Sequence, residues 1–113
     1  MDPFQNITLV RIRIDSTDKF KRQPLYEVLL YAARRMGVQD AVVLKGIMGV
    51  VSGKELYSHK SWEFSEKLPL VIELTDSREN ISAFLALIQP YFEKVNFSGH
   101  ISLFEGITLN PPA

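Results

Sequence analysis

Ile7-Thr8-Leu9-Val10-Arg11-Ile12-Arg13-Ile14 alternates two faces residue by residue. Thr8, Val10, Ile12 and Ile14 fall on one side, and Ile7, Leu9, Arg11 and Arg13 on the other. A period of two is the signature of a β-strand. One face of this strand is oily throughout, and the other only at its start. The strand therefore belongs to a sheet with one covered face.

Downstream, Asp15 to Gln23 is polar and reads as a loop. Pro24 suits the first turn of a helix, where its missing N–H costs nothing. Leu25, Val28, Leu29, Ala32 and Met36 follow at helical spacing, and Gly37 is a natural stop. Ala41 to Met48 is a second, largely apolar strand. Residues 49–62 break the pattern with Gly, Ser, Lys, His and Tyr, and read as a long loop or an extended hairpin. Leu68 to Thr75 is a third strand, with Leu70, Ile72 and Leu74 facing the core. Asp76 with Glu79 three residues on is a capping box, Ser77 being the alternative cap. Ile81, Phe84, Leu85 and Ile88 form the buried stripe of a second helix, which Pro90 should end or kink. Gly99 starts a final strand in which Ile101, Leu103 and Ile107 alternate with Ser102, Phe104 and Thr108. Met1 to Gln5 and Asn110 to Ala113 read as tails.

The order is βαβ, loop, βαβ, so the fold class is α+β. Two such units interleave into a ferredoxin-like sandwich, a four-stranded antiparallel sheet with both helices on one face. The other face must meet water or another subunit. Arg11, Arg13, Val71 and Glu73 share that open face, and its mixed charges could pair across the symmetry axis of an oligomer.

The 113 residues make a single domain (1–113, with an ordered core over about 7–108), enough to bury about two thirds of the unfolded surface. Lys+Arg and Asp+Glu both number 13, which gives no reason to expect nucleic acid or an anionic membrane as partner. The absence of cysteine removes disulfides, thiolate metal sites and a cysteine nucleophile. No apolar run reaches the ~20 residues of a membrane helix, and Met1 to Asn6 is no signal peptide, so the expected location is cytoplasmic.

Catalytic patterns are lacking. His59 and His100 have no ligand at helical or hairpin spacing. Asp15 and Asp18, with Ser16, Thr17 and Lys19 around them, read as a turn rather than an acid–base pair. Neither a phosphate loop nor a G-x-S-x-G elbow occurs. The expectation is a protein that is not an enzyme, without a metal or a resident cofactor. Lys45-Gly46-Ile47-Met48-Gly49 stands apart. A lysine at a strand end offers a compact charge for phosphate or carboxylate, and glycine lets a ligand or another backbone approach closely. Taken alone, the glycines equally suit a strand that simply turns.

Asp18-Lys19, Pro24-Leu25-Tyr26-Glu27, Lys45 to Gly49 and Leu68-Pro69-Leu70-Val71-Ile72-Glu73-Leu74 together resemble the PII-like family known as domain of unknown function 190. More distantly, Lys45-Gly46 followed by Gly53-Lys54-Glu55-Leu56-Tyr57 resembles the strand end and T-loop of PII signal-transduction proteins. The resemblance implies a ferredoxin-like subunit assembled as a homotrimer through its sheets. It also implies a small-molecule effector, an adenine nucleotide in PII proteins, held in clefts between subunits. The T-loop would act on a membrane transporter or another protein partner. Lys45, Gly46, Ile47, Met48 and Gly49 map to the cleft, with His100 as a substitute donor, and Gly53, Lys54, Glu55, Leu56 and Tyr57 to the partner loop. PII proteins also hold phosphates with a Gly- and Lys-rich loop and with C-terminal arginines. Here that segment is Asn96-Phe97-Ser98-Gly99-His100, and no Lys or Arg follows Lys94. The alternative is a metal-handling or structural interaction module, similar to the copper-tolerance CutA proteins that share the trimeric fold.

Overall fold

A computed structural model describes residues 3–51, 53, 55–58, 67–95 and 99–109. Four strands form one antiparallel sheet in the order β4-β7-β1-β8: Asp40–Lys45, Pro69–Asp76, Phe4–Asp15 and His100–Leu109. Helices α1 (Leu25–Met36) and α2 (Arg78–Glu93) cover one face. This is the ferredoxin-like sandwich expected from the alternation.

Register explains the burial. In antiparallel pairs, residues directly opposite share a face. Val10, Ile12 and Ile14 stand opposite Leu74, Ile72 and Leu70, and all six are buried against the helices. The stripe Leu25, Val28, Leu29, Ala32 of α1 and Ile81, Phe84, Ile88 of α2 closes that layer. Thr8, the polar member of the same face, is buried as well. Helix α1 ends on Gly37, whose φ of 83° is left-handed and whose N–H reaches the carbonyls of Ala33 and Arg34.

Several expectations need correction. β1 begins at Phe4, because Phe4 and Gln5 pair with Leu109 and Thr108 of the last strand. That pairing is long-range, and a local pattern cannot show it. The stretch 15–23 contains a tight hairpin, β2 (Lys19–Phe20) with β3 (Gln23–Pro24), turned through Lys21 and Arg22 at positive φ. Of the two candidate caps for α2, Ser77 is the one used, its hydroxyl accepting from the Asn80 N–H at 3.2 Å. Asp76 instead closes β7 and turns its carboxylate inward. Helix α2 continues through Pro90 to Glu93. The hydrogen bond that proline removes is offset by packing beyond it: Tyr91 meets Phe20 edge-on at 4.9 Å, and Phe92 and Val95 rest on the core.

The second strand is also shorter than its apolar run. β4 stops at Lys45, Gly46 and Ile47 break the ladder, and a separate hairpin starts at Met48. That hairpin, β5 (Met48–Val51) with β6 (Glu55–Ser58), realises the extended-hairpin form of the 49–62 segment as far as it is described.

The final strand sits at the sheet edge. Ile101 and Leu103 face the helix side opposite Ile12 and Val10, yet both stay exposed because α2 lies over β1 and β7. Across the open face, Arg11 pairs with Glu73 at 2.9 Å and lies 5.3 Å from the Phe104 ring. Arg11 and Glu73, two of the charges expected there, are thus matched within one chain. No described helix is long and apolar enough to cross a membrane.

Candidate functional site

Topology gathers the site at one end of the sheet. β1 ends where β4 ends and β7 begins, so the turn after Asp15, the residue Lys45 and the re-entry at Leu68 share one rim. Lys45 stands opposite Leu70 and so projects to the helix side. There it lines a pocket of about 360 Å³ with Ser16, Thr17, Tyr26, Val43 and Leu70. That volume lies within the ~300–1,000 Å³ of small-ligand sites. Among the described residues, no carboxylate pairs with Lys45. Its lining combines the aliphatic Val43 and Leu70 with the cationic Lys45, the hydroxyl-bearing Ser16 and Thr17, and the aromatic Tyr26. Such a set suits a planar or aliphatic body carrying an anionic group.

The glycines of the same stretch have a structural occupation. Gly46 donates its N–H to the Pro69 carbonyl at 2.8 Å, and a Cβ there would lie 2.8 Å from Pro69 Cγ. A Cβ at Gly49 would lie 3.2 Å from the same carbon. The chain leaves the sheet by passing directly over the proline ring. Ile47, Met48 and Val50 are exposed on the departing arm. Gly49 pairs with Tyr57 across the hairpin, Leu56 with Val50 and Glu55 with Val51, while Gly53 occupies the turn at φ 69°. Lys54 and His59 lie outside the described residues, as does most of the segment before Gly99.

His100 falls elsewhere. It pairs with Arg13 on the open face of β8, whereas Lys45 is on the helix side of β4. Three strand spacings, about 14 Å, separate the two edges within one chain. Only a second subunit could bring them together.

Sequence reading missed Ser16, Thr17 and Tyr26 as lining residues. The signal was topological: in this fold the loop after the first strand meets the end of the second. Around that loop the Asp18 carboxylate accepts the Asp15 N–H at 2.9 Å, and Lys67 Nζ lies 3.6 Å from Asp15. Burial pushes the Asp18 carboxyl above its ordinary pKa. The Asp15 N–H opposes that shift, the Asp15 charge adds to it, and Lys67 opposes it again.

A second cavity of about 450 Å³ opens at the far end, lined by Asn6, Thr8, Arg78 and Glu105 among others. Its cation is already neutralised, since Arg78 contacts Glu105 at 3.1 Å. None of the ligand-site residues expected from sequence lines it. Among the described residues, no three His, Cys, Asp or Glu side chains gather in a metal-binding group.

Comparison with known proteins bears on the family and the fold. The sequence profile of the family DUF190, described as "Uncharacterized ACR", matches residues 7–104. A "UPF0166 protein" from Aquifex aeolicus is 35% identical over 81 residues, covering 72% of this chain and 77% of that protein. Another from Methanocaldococcus jannaschii is 30% identical over 77 residues, covering 68% and 70%. Among solved structures, CPII of Thiomonas intermedia, a nitrogen regulatory PII-like protein bound to ADP, AMP and bicarbonate, superposes with a TM-score of 0.69. Identity is 17%, with 96% of this chain and 92% of CPII covered. A protein from Thermus thermophilus, described as a putative PII-like signaling protein, gives a TM-score of 0.65 at 17% identity, covering 96% and 94%. The protein belongs to the DUF190 family and has the PII-like form of the ferredoxin-like fold.

Proposed function

We propose that the protein is a non-enzymatic, PII-like regulator that senses a small anionic metabolite, an adenine nucleotide, at the Lys45 pocket and signals through the 49–62 segment. The observation that carries this reading is the position of Lys45: it lines a ligand-sized pocket at the root of a projecting hairpin. CPII, which shares the fold, is described as bound to ADP, AMP and bicarbonate. The lack of Lys or Arg after Lys94 favours a ligand with few phosphates, so AMP and ADP should bind better than ATP. The protein partner, a membrane transporter or another protein, would meet the exposed Ile47, Met48 and Val50.

Isothermal calorimetry with AMP, ADP, ATP and bicarbonate tests the assignment. Binding of at least one is expected, and absence of heat with all four removes it. Lys45→Ala should weaken the best ligand by roughly tenfold or more, as loss of a charge-assisted bond does. Unchanged affinity would show that the lysine meets no anion.

Assembly as a homotrimer belongs to the same proposal. The open face exposes Val42, Leu44 and Phe104, each close to half accessible, around an Arg11–Glu73 pair that is already matched. Covering that pair strands neither of its charges, whereas Arg13 on the same face would need a partner across the interface. Light scattering should show a trimer, and Leu44→Asp, which places an unpaired charge there, should shift it to monomer. A variant that stays trimeric would place the interface elsewhere.

A further inference from the structure

The chain leaves the sheet at Gly46 and returns at Leu68, and the point of return is bonded to the wall of the pocket. Ser16 donates its N–H to the Leu68 carbonyl at 2.8 Å, and its hydroxyl accepts the Leu68 N–H at 2.9 Å. One residue thus holds both main-chain groups of Leu68. Beside it, Lys67 approaches Asp15 at 3.6 Å. The turn that carries Ser16 is itself anchored. Asp18 N–H donates to the Asp15 carbonyl at 3.1 Å, and Leu25 N–H, at the head of α1, donates to the Asp18 carbonyl at 2.8 Å. Ser16 and Thr17 both line the Lys45 pocket.

We infer that Ser16 is the positioning residue through which occupancy of this pocket is transmitted to the 46–67 excursion. The inference rests on the reading of the pocket as a ligand site and specifies how that site is read out. A ligand seated there touches both roots of the excursion. It meets Lys45 where the chain departs, and Ser16 where the chain returns. A ligand can bias the excursion only by binding one of its arrangements more tightly. Ser16 supplies that difference, because releasing Leu68 moves a pocket wall. Thr17 shares the wall but makes no bond to Leu68 among the described contacts, so the two neighbours separate binding from transmission.

Hydrogen exchange of residues 46–58, read by mass spectrometry with and without saturating ADP, tests this. Saturation removes differences in affinity from the comparison. In the wild type, ADP should slow exchange of the segment at least about fivefold, since protection follows the opening equilibrium. Ser16→Ala should show less than about twofold slowing, while Thr17→Ala, saturated at a higher ADP concentration, should retain the wild-type effect. Full ADP-linked protection in Ser16→Ala overturns the inference. Failure of ADP to bind the wild type counts against the nucleotide assignment, and the ligand-free arm then decides. Ser16→Ala alone should speed exchange of 46–58 by about threefold or more, with Thr17→Ala unchanged. Equal rates in all three proteins overturn the inference too.

Discussion

Asp76→Ala is expected to destabilise the fold by about 2–4 kcal/mol, an effect set by hydrogen bonds that the carboxylate alone can accept. Its Oδ1 takes the Ser77 N–H at 2.6 Å and the Asn80 side-chain amide at 3.0 Å, and its Oδ2 takes the Gln39 N–H at 2.9 Å. The residue is 6% exposed, so water cannot replace these bonds freely. Gln39 lies just before β4, and Ser77 is the cap of α2. One side chain therefore joins the start of an edge strand to the start of the second helix. Truncation strands two backbone donors and loosens both junctions. At fixed protein concentration the melting temperature should fall by roughly 8–16 °C. Asp76→Asn should fare little better, because its amide nitrogen would face a donor at one of the two oxygen sites. A fall below about 4 °C in both variants would show that the donors find other partners.

The pH dependence has a defined sign. Burial pushes the Asp76 carboxyl up, but the N–H groups of Ser77 and Gln39 and the Asn80 amide outweigh it, leaving the pKa below its ordinary 3.8. A depressed carboxylate contributes stability that is fully present above the unfolded value and lost as pH falls through the folded one. The gap between wild type and Asp76→Asn should therefore be constant near neutrality and narrow only below about pH 3.8. Asp18 contributes in the opposite direction: its raised pKa favours the protonated folded form, so its share of stability declines as pH climbs above 3.8 through the folded value.

The residues that were legible in sequence are those whose partners are set by period. Val10, Ile12 and Ile14 announce a strand face, and Ile81, Phe84 and Ile88 a helix stripe, because each element must bury one side whatever it meets. Residues whose role depends on a distant partner were not legible. Phe4 is a strand residue only because Leu109 lies beside it. Asp76 looked like the cap because spacing cannot reveal that its carboxylate also takes the Gln39 N–H, from a residue 37 positions earlier, while Ser77 caps the helix. Pro90 stays helical because Phe20, about seventy residues earlier, holds Tyr91. The site divides in the same way. Lys45 stood out as a charge closing an apolar strand, whereas Ser16 and Thr17 line the pocket through topology, and the reason for the glycines lies in Pro69.

Gly46→Ala separates the two explanations of that glycine. If Gly46 serves a ligand's approach, an added methyl group should reduce affinity and leave the unliganded fold intact. The geometry gives the other answer. The methyl carbon would stand 2.8 Å from Pro69 Cγ and 3.1 Å from the Pro69 carbonyl oxygen. Pro69 cannot yield, since its ring is rigid, its residue is buried in β7 and its carbonyl already holds the Gly46 N–H. Overpacking of this kind costs about 1–3 kcal/mol, and here it falls at the root of the hairpin. Gly46→Ala should therefore lower the melting temperature without ligand by about 4–12 °C. Gly49→Ala, at 3.2 Å, should cost less, and Gly106→Ala, with nothing within 4 Å, should serve as the neutral control. Replacing the ring relieves the clash, so Gly46→Ala with Pro69→Ala should be more stable than the sum of the single changes by about 1 kcal/mol. Additive single changes would mean that the crossing over Pro69 is loose. An intact melting temperature with lost affinity would return Gly46 to the ligand. The expected result instead makes the glycines the means by which the chain turns out of the sheet, leaving Lys45 at the pocket as the residue that meets the anion.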